Sequence, residues 1–96
     1  MSYKVILTSK INAETYDNLL LFLEKNLPNV RSFKGCNSVD ILFNTEKDEM
    51  VFYEDWNTKL DHLEYLNFIR ENGVLQELSG FIAQGPEIKY FEVLSI

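Results

Sequence analysis

The chain has 96 residues, 46% hydrophobic and 14% aromatic, with a formal net charge of −6 at pH 7. This length fits one small domain, residues 1–96, which buries a modest share of its own surface, so added burial against a partner subunit is a reasonable expectation. The acidic charge disfavours nucleic acids and anionic membranes, because no basic patch offsets it. The longest apolar run, "LLLFL" at 19–23, is far shorter than the roughly 20 residues of a membrane span. We therefore expect neither nucleic acid nor membrane as a partner.

The first third of the chain predicts a strand followed by a helix. Residues 3–9, "YKVILTS", alternate between an apolar and a more polar side, which is typical of a strand. Asn12 is a suitable N-cap for a helix that begins at Ala13, and Pro28 is expected to end that helix. The apolar stripe of this helix is predicted to consist of Tyr16, Leu19, Leu20, Leu23 and Leu27.

The middle of the chain predicts two strands joined by a polar turn. Residues 33–43 form the first of them, with a bend or bulge at Gly35, and "NTEKD" supplies the turn. In the next strand, "EMVFYEDW" at 49–56, apolar residues occupy both alternations. They are Met50, Phe52 and Trp56 on one side, and Val51 and Tyr53 on the other. We therefore expect both faces of this strand to be covered.

The last third predicts a second helix and a fourth strand. Thr58 and Asp61 resemble a capping box that opens a helix to about Asn72, and Gly73 ends it. The segment "VLQELSGFIAQG" is typical of a short helical turn plus a loop. The strand "EIKYFEVL" is then expected after Pro86, again partly apolar on both faces.

The order strand, helix, strand, strand, helix, strand predicts an α+β fold of the ferredoxin-like βαββαβ class. In that class four antiparallel strands form one sheet, and two helices pack on one of its faces. The chain has no third long helix to cover the opposite face. The economical cover is the same sheet of a second copy, so we expect a homodimer that forms a dimeric α/β barrel.

Two segments resemble the antibiotic biosynthesis monooxygenase family of dimeric α/β-barrel proteins: "RSFKGC" at 31–36 and "FYEDWNTKLDHLEYLNF" at 52–68. In that family a Gly-Cys pair opens the second strand, a Glu-x-Trp stretch ends the third, and a His lies six residues past the Trp. The corresponding residues here are Gly35, Cys36, Glu54, Trp56 and His62. The resemblance covers nearly the whole chain.

The resemblance implies a monooxygenase that needs no cofactor and acts on a small hydrophobic aromatic molecule, a phenol or quinol. Two departures from the family pattern bear on this. Phe52 stands where the better-understood oxygenases have an asparagine, which favours the alternative of a non-catalytic ligand-binding or accessory dimer. The haem-degrading branch has an Asn on its first strand and a His about ten residues past its Trp, where this chain has Leu66, so haem binding ranks below both.

His62, Trp56 and Glu54 are the candidate catalytic residues. His62 is either a buried, hydrogen-bonded imidazole or a cavity-lining proton acceptor with a pKa near neutrality. Trp56 is either a core anchor or a donor whose indole N–H steadies a peroxide. Glu54 points the same way as two aromatic residues and needs a partner, for which the sequence offers His62, Lys4, Lys89 and Arg70. We favour a Glu54–His62 pair, which would raise the pKa of the histidine.

The helical face of His62 and the neighbouring strand supply the candidate substrate-binding residues. They are Phe52, Tyr53, Tyr65, Leu66 and Ile69. Cys36, the only cysteine, cannot form an internal disulfide, which favours a reducing, cytoplasmic compartment. It is expected to be a small buried apolar residue. No zinc-ligand spacing and no phosphate-binding loop occurs in the sequence, so we expect no metal and no nucleotide cofactor.

Overall fold

A computed structural model describes residues 2–96 of the chain. The strands are β1 (Tyr3–Ile11), β2 (Cys36–Phe43), β3 (Glu49–Trp56) and β4 (Ile82–Glu92). The helices are α1 (Tyr16–Arg31), α2 (Lys59–Glu71) and the short α3 (Val74–Ser79), and a single 3-10 turn, Ala13–Thr15, precedes α1. Within the described residues, no helix is both long enough and apolar enough to span a membrane.

The four strands form one antiparallel sheet in the order β2-β3-β1-β4, which confirms the predicted ferredoxin-like α+β class. Val5 in the central strand β1 pairs with Glu54 on one side and with Tyr90 on the other. Since directly paired residues point to the same face, these three side chains lie on the face that α1 and α2 cover. The register thus brings polar groups of β3 and β4 under helix α2.

Helix α1 differs from its prediction in both its buried stripe and its end. Leu20 is 38% exposed while Phe22 is buried, so Phe22 takes the place predicted for Leu20, whereas Leu19 and Leu23 are buried as predicted. Its buried members are Leu19, Phe22, Leu23 and Val30. Pro28 does not end the helix: Val30 packs on β1 and β2, and Arg31 donates a 2.9 Å hydrogen bond from Nη2 to the carbonyl of Val39. Tertiary contacts in the last turn therefore offset the hydrogen bond that proline cannot make.

Two further boundaries differ from the sequence prediction. Asn12 makes no side-chain cap, and its carbonyl instead accepts a 3.0 Å hydrogen bond from the hydroxyl of Thr15. Strand β4 begins at Ile82, before Pro86 rather than after it. This early part of β4 still pairs with the end of β1, through Ile82 opposite Ile11, and the ladder register shifts between the two halves. A register shift lets the strand accommodate a proline, which cannot donate to the ladder.

The buried residues form two clusters on the helix-covered side of the sheet. One cluster joins α1 to the end of β1 and the start of β3: Ile11, Leu19, Phe22, Leu23 and Met50. The other surrounds Trp56, which is fully buried: Val5, Val30, Val39 and Trp56. Burial of these side chains is the main force holding the helices on the sheet.

The opposite side of the sheet, here called the outer face, carries apolar side chains in all four strands. They are Ile6, Leu42, Val51, Tyr53 and Phe91. Leu42 is 52% exposed and Phe91 is 46% exposed in the single chain. Charged pairs interrupt the patch, such as Lys4 with Asp55 at 2.7 Å. The apolar patch on the outer face is therefore left in contact with water by the chain's own elements.

Candidate active site

The junction between β3 and α2 is fixed by one backbone hydrogen bond and one side-chain cap. The amide of Asn57 donates a 2.8 Å hydrogen bond to the carbonyl of Gly35, and the hydroxyl of Thr58 accepts a 3.0 Å bond from the amide of Asp61. The second contact is the predicted N-terminal cap of α2. Gly35 has a φ of +86°, and a Cβ there would collide with the Asp61 side chain. The loop before β2 thus packs tightly on the first turn of α2, where His62 lies.

Four side chains form a row of polar contacts across β3, α2 and β4, of which the outer two are hydrogen bonds. The indole Nε1 of Trp56 donates to Oε1 of Glu54 at 2.8 Å, and Nε2 of His62 lies 3.5 Å from the same oxygen. On the other side of the imidazole, Nδ1 of His62 lies 2.9 Å from the hydroxyl of Tyr90. We assign the imidazole proton to Nε2, which faces Glu54, so that Nδ1 accepts from the hydroxyl of Tyr90. The row runs from the fully buried Trp56 to the partly exposed Tyr90.

Burial sets the protonation of the central pair. His62 is 1% exposed and Glu54 is 3% exposed, so the charged form of each is poorly hydrated. Burial raises the pKa of Glu54 to about 7, against a smaller lowering by the Trp56 hydrogen bond. Burial lowers the pKa of His62 to about 4. The expectation that Glu54 would raise the pKa of His62 towards neutrality is wrong, because burial disfavours the charged imidazole and lowers its pKa. Near pH 7 the imidazole is neutral, and Glu54 is the group poised to exchange a proton.

A cavity of about 450 Å³ lies between the sheet and the helices, with Glu54 and His62 in its wall. Its lining is predominantly apolar and comes from every helix and from β1, β3 and β4. Oε1 of Glu54 receives the contacts of Trp56 and His62. Both described side-chain contacts of this carboxyl group are on Oε1, so Oε2 has no described side-chain donor. The carboxyl group of Glu54 therefore lies in the wall of an apolar chamber large enough for a small aromatic molecule.

The structure brings most of the predicted site residues together around this cavity. Phe52, Tyr65, Leu66 and Ile69 line it together with Glu54 and His62. Tyr53 does not: the strand alternation places it on the outer face, where its ring lies 5.4 Å from Nζ of Lys4. Trp56 does not line the cavity either, and its indole N–H is already donated to Glu54. The N–H that was expected to steady a peroxide is therefore bonded to Glu54 and does not line the cavity. Trp56 instead holds the carboxyl.

Sequence reasoning missed Tyr90. Its place in the row depends on the pairing of Val5 with Tyr90, and no local pattern around "EIKYFEVL" points to the imidazole of a distant helix. The sequence feature that could have indicated Tyr90 is the strand alternation, which puts Tyr90 and Ile88 on the same face of β4. The amine of Lys59 lies 4.6 Å from the centre of the Tyr90 ring, at the solvent end of the row.

Cys36 lies beside the site without forming part of the row. Burial is the main cause that raises the pKa of its thiol to about 11, with a further contribution from Glu54. The thiol is therefore protonated at neutral pH and is a poor nucleophile. Within residues 2–96, no three His, Cys, Asp or Glu side chains are grouped so that they could hold a metal ion.

Comparison with known proteins identifies the fold. No family model matches the sequence, and no curated protein matches it. Many solved structures match in three dimensions. Rv0793 from Mycobacterium tuberculosis is 14% identical, with a TM-score of 0.82 over 100% of this chain and 98% of its own. A structure named antibiotic biosynthesis monooxygenase is 16% identical, with a TM-score of 0.85 over 97% of this chain and 99% of its own. A Nitrosomonas europaea protein, given the same name provisionally, is 15% identical, with a TM-score of 0.85 over 97% and 90%. These likenesses confirm the predicted resemblance at the level of the fold.

Proposed function

We propose that the chain is a cofactor-independent monooxygenase of the antibiotic biosynthesis monooxygenase type, acting on a small phenol or quinol. One observation supports this above all: a carboxyl group whose pKa is near 7 opens onto an apolar cavity and is held by a neutral histidine. A buried acid in this position lowers the stability of the fold when it ionises, and a role in proton transfer would explain why it is present. A proton acceptor with a pKa close to the operating pH is what removal of a phenolic proton requires.

The first step makes the substrate electron-rich. The substrate hydroxyl donates to Oε2 of Glu54, and its proton passes to the carboxylate as the phenolate forms. The proton already on Nε2 of His62, together with the Trp56 N–H, steadies the carboxylate before the transfer. This assignment exchanges the roles expected from the sequence. Glu54 is the proton acceptor, and His62 is the positioning residue that orients it.

The second step oxidises the phenolate with dioxygen and needs no other reductant. One electron passes from the phenolate to O2, and the two radicals combine by forming a C–O bond at the para ring carbon. The peroxide takes the proton held by Glu54. Glu54 then removes the hydrogen on that carbon, the O–O bond breaks, a carbonyl forms, and hydroxide leaves as water with that proton. One phenol and one O2 therefore give one quinone and one water. The apolar lining suits this step, because it excludes water from the radical pair.

Oxygen consumption with para-unsubstituted phenols tests the proposal. We expect one O2 consumed for each quinone formed, a rate that rises with pH around the Glu54 pKa, and loss of activity in Glu54→Gln. Glu64→Gln is the matched control and is expected to stay active, because Glu64 is an exposed acid on helix α2 and does not line the cavity. Ligand binding without any oxygen consumption would overturn the enzyme proposal. That outcome would favour the non-catalytic binding module, which the apolar Phe52 in the cavity wall also fits.

We further propose that two copies pair through their outer faces. The support is the apolar patch defined above, present in all four strands and left exposed by the chain's own helices. The apolar end of the chain, Val93 to Ile96, is also largely exposed and could add to the same contact. Sheet-on-sheet packing of two such faces would bury this patch about a two-fold axis.

Charge substitution on the outer face tests the pairing. Leu42→Lys is expected to yield monomers in sedimentation, because the lysine would be buried without a partner at the contact. Leu60→Lys is the matched control, since Leu60 is similarly exposed but lies on helix α2. A wild-type chain that sediments as a folded monomer at micromolar concentration would contradict the dimer.

We keep the cytoplasm as the proposed compartment. The support is Cys36, a free thiol in a chain with no second cysteine to pair with. Detection of the protein in an oxidising compartment by cell fractionation would contradict this assignment.

A further inference from the structure

The cavity has opposite chemistry at its two ends. Glu54 is the only carboxyl group among its described lining residues, and with His62 it forms the buried end. Arg70 is the only cationic residue in the same lining, and its side chain is exposed at the solvent end. Between them the wall is mostly apolar, with Leu66 and Ile69 on the intervening part of α2.

Arg70 has no partner among the described residues. No described carboxylate lies within 4.0 Å of its guanidinium, whereas Lys4, Lys10 and Lys89 each have one. Its helical neighbours three and four residues away cannot supply one, because they are Leu66, Asn67, Gly73 and Val74. Four of the seven lysines likewise have no described carboxylate partner, so Arg70 is distinguished by its place in the lining of an apolar cavity. Its simpler role is to complement the dipole at the C-terminal end of α2.

We infer that the ligand of this cavity is a phenol that also carries a carboxylate at its far end, with the hydroxyl at Glu54 and the carboxylate on Arg70. The inference rests on the proposed function in one respect: it takes from it that the hydroxyl of the phenol is bound at Glu54. His62 and Arg70 are eight residues apart, which is about 12 Å along a helix axis at about 1.5 Å per residue. A single phenol ring is too short to reach both ends, while two linked or fused rings can. The planar fork of arginine matches a carboxylate with two parallel hydrogen bonds.

Calorimetric binding of two matched probes to the full chain tests this inference. The probes are 4′-hydroxybiphenyl-4-carboxylate and 4-hydroxybiphenyl, which differ only in the carboxylate. We expect the acid to bind about tenfold more tightly at low salt, the range of one charge-assisted hydrogen bond at a partly hydrated site. High salt should reduce that preference. Arg70→Ala should abolish it, and Arg70→Lys should keep part of it, because lysine retains the charge but not the fork.

Lys34→Ala is the control, since Lys34 is an exposed cation near the other end of α2 and does not line the cavity. It should leave the preference for the acid unchanged. Equal affinity for the two probes, no effect of Arg70→Ala, or binding of neither probe would overturn the inference. Both probes are substituted at the para carbon of the phenol, so they report binding without turnover. Selective binding of the acid, together with no oxygen consumption from para-unsubstituted phenols, would overturn the proposed reaction and leave this inference intact.

Discussion

Replacing Glu54 by glutamine is expected to stabilise the protein above neutral pH. Burial raises the pKa of Glu54 from 4.5 to about 7, so the folded state keeps a proton that the unfolded chain has already lost. The contribution of Glu54 to stability is therefore greatest below pH 4.5, falls as the pH rises to about 7, and stays low above that. At about 1.4 kcal/mol for each tenfold change in proton affinity, ionising this buried acid costs the fold about 3 kcal/mol.

His62 acts in the opposite direction. Its pKa is lowered from 6.5 in the unfolded chain to about 4 in the folded state. Between these pH values the unfolded state binds a proton that the folded state does not bind, so the free energy of unfolding falls as the pH drops from 6.5 to 4. In the wild type the two contributions oppose each other between pH 4.5 and 6.5. In Glu54→Gln only that of His62 remains, so stability should rise with pH up to about 6.5 and then stay constant.

Urea unfolding of wild type and Glu54→Gln, at one protein concentration and several pH values, measures the difference. We expect near-equal stability at pH 4.5, and a variant more stable by about 3 kcal/mol at about pH 8. Glutamine keeps an amide oxygen that can accept from Trp56 and face Nε2 of His62, so both contacts made by Oε1 of Glu54 can be retained. A variant less stable than wild type at high pH would refute the reasoning. It would mean that Glu54 is ionised and pairs with an imidazolium, which glutamine would leave without its counter-charge.

Two further substitutions test the local geometry. Gly35→Ala should cost about 2–4 kcal/mol in chemical unfolding, because it adds a collision with a side chain of α2 to the strain of a positive φ. Gly73→Ala is its control, with a φ of +88° and nothing near the added methyl, so it should cost about 1–2 kcal/mol. Equal losses would contradict the close packing. Tyr90→Phe should cost about 1 kcal/mol by leaving Nδ1 of His62 without its donor. Tyr3→Phe removes an exposed hydroxyl contact and should change stability little, and a larger loss there would contradict the account of the row.

The fold was largely predictable because its signals are local. Strand β3 and the cap of α2 at Thr58 follow directly from alternation and capping chemistry. In helix α1 the prediction placed Leu20 in the buried stripe and left out Phe22. The run "LLLFL" is apolar on every side of the helix, so contacts with the sheet decide which side chains are buried. The continuation past Pro28 likewise depends on Val30 and Arg31 reaching β1 and β2. Neither contact is visible in the helix alone.

Most residues of the candidate site could be predicted from the sequence, but their protonation states could not. Glu54 and His62 could be paired from the sequence, since both point inward from adjacent elements. Their pKa values could not be predicted, because the depth of burial decides the sign and the sequence does not report depth. Tyr90 requires the register of β4 on β1, which no local pattern specifies. Tyr53 was assigned to the site although its strand alternation already pointed it outward.

Proton NMR of His62 tests the central claim most directly, because the chain contains no other histidine and its ring signals are unambiguous. The claim is that a neutral, buried imidazole orients Glu54 towards a phenol in the cavity. We predict that the His62 signals do not titrate until the pH approaches about 4, and that they shift saturably at neutral pH when 4-hydroxybiphenyl is added. A His62 that titrates near 6.5 and does not respond to the phenol would contradict the claim.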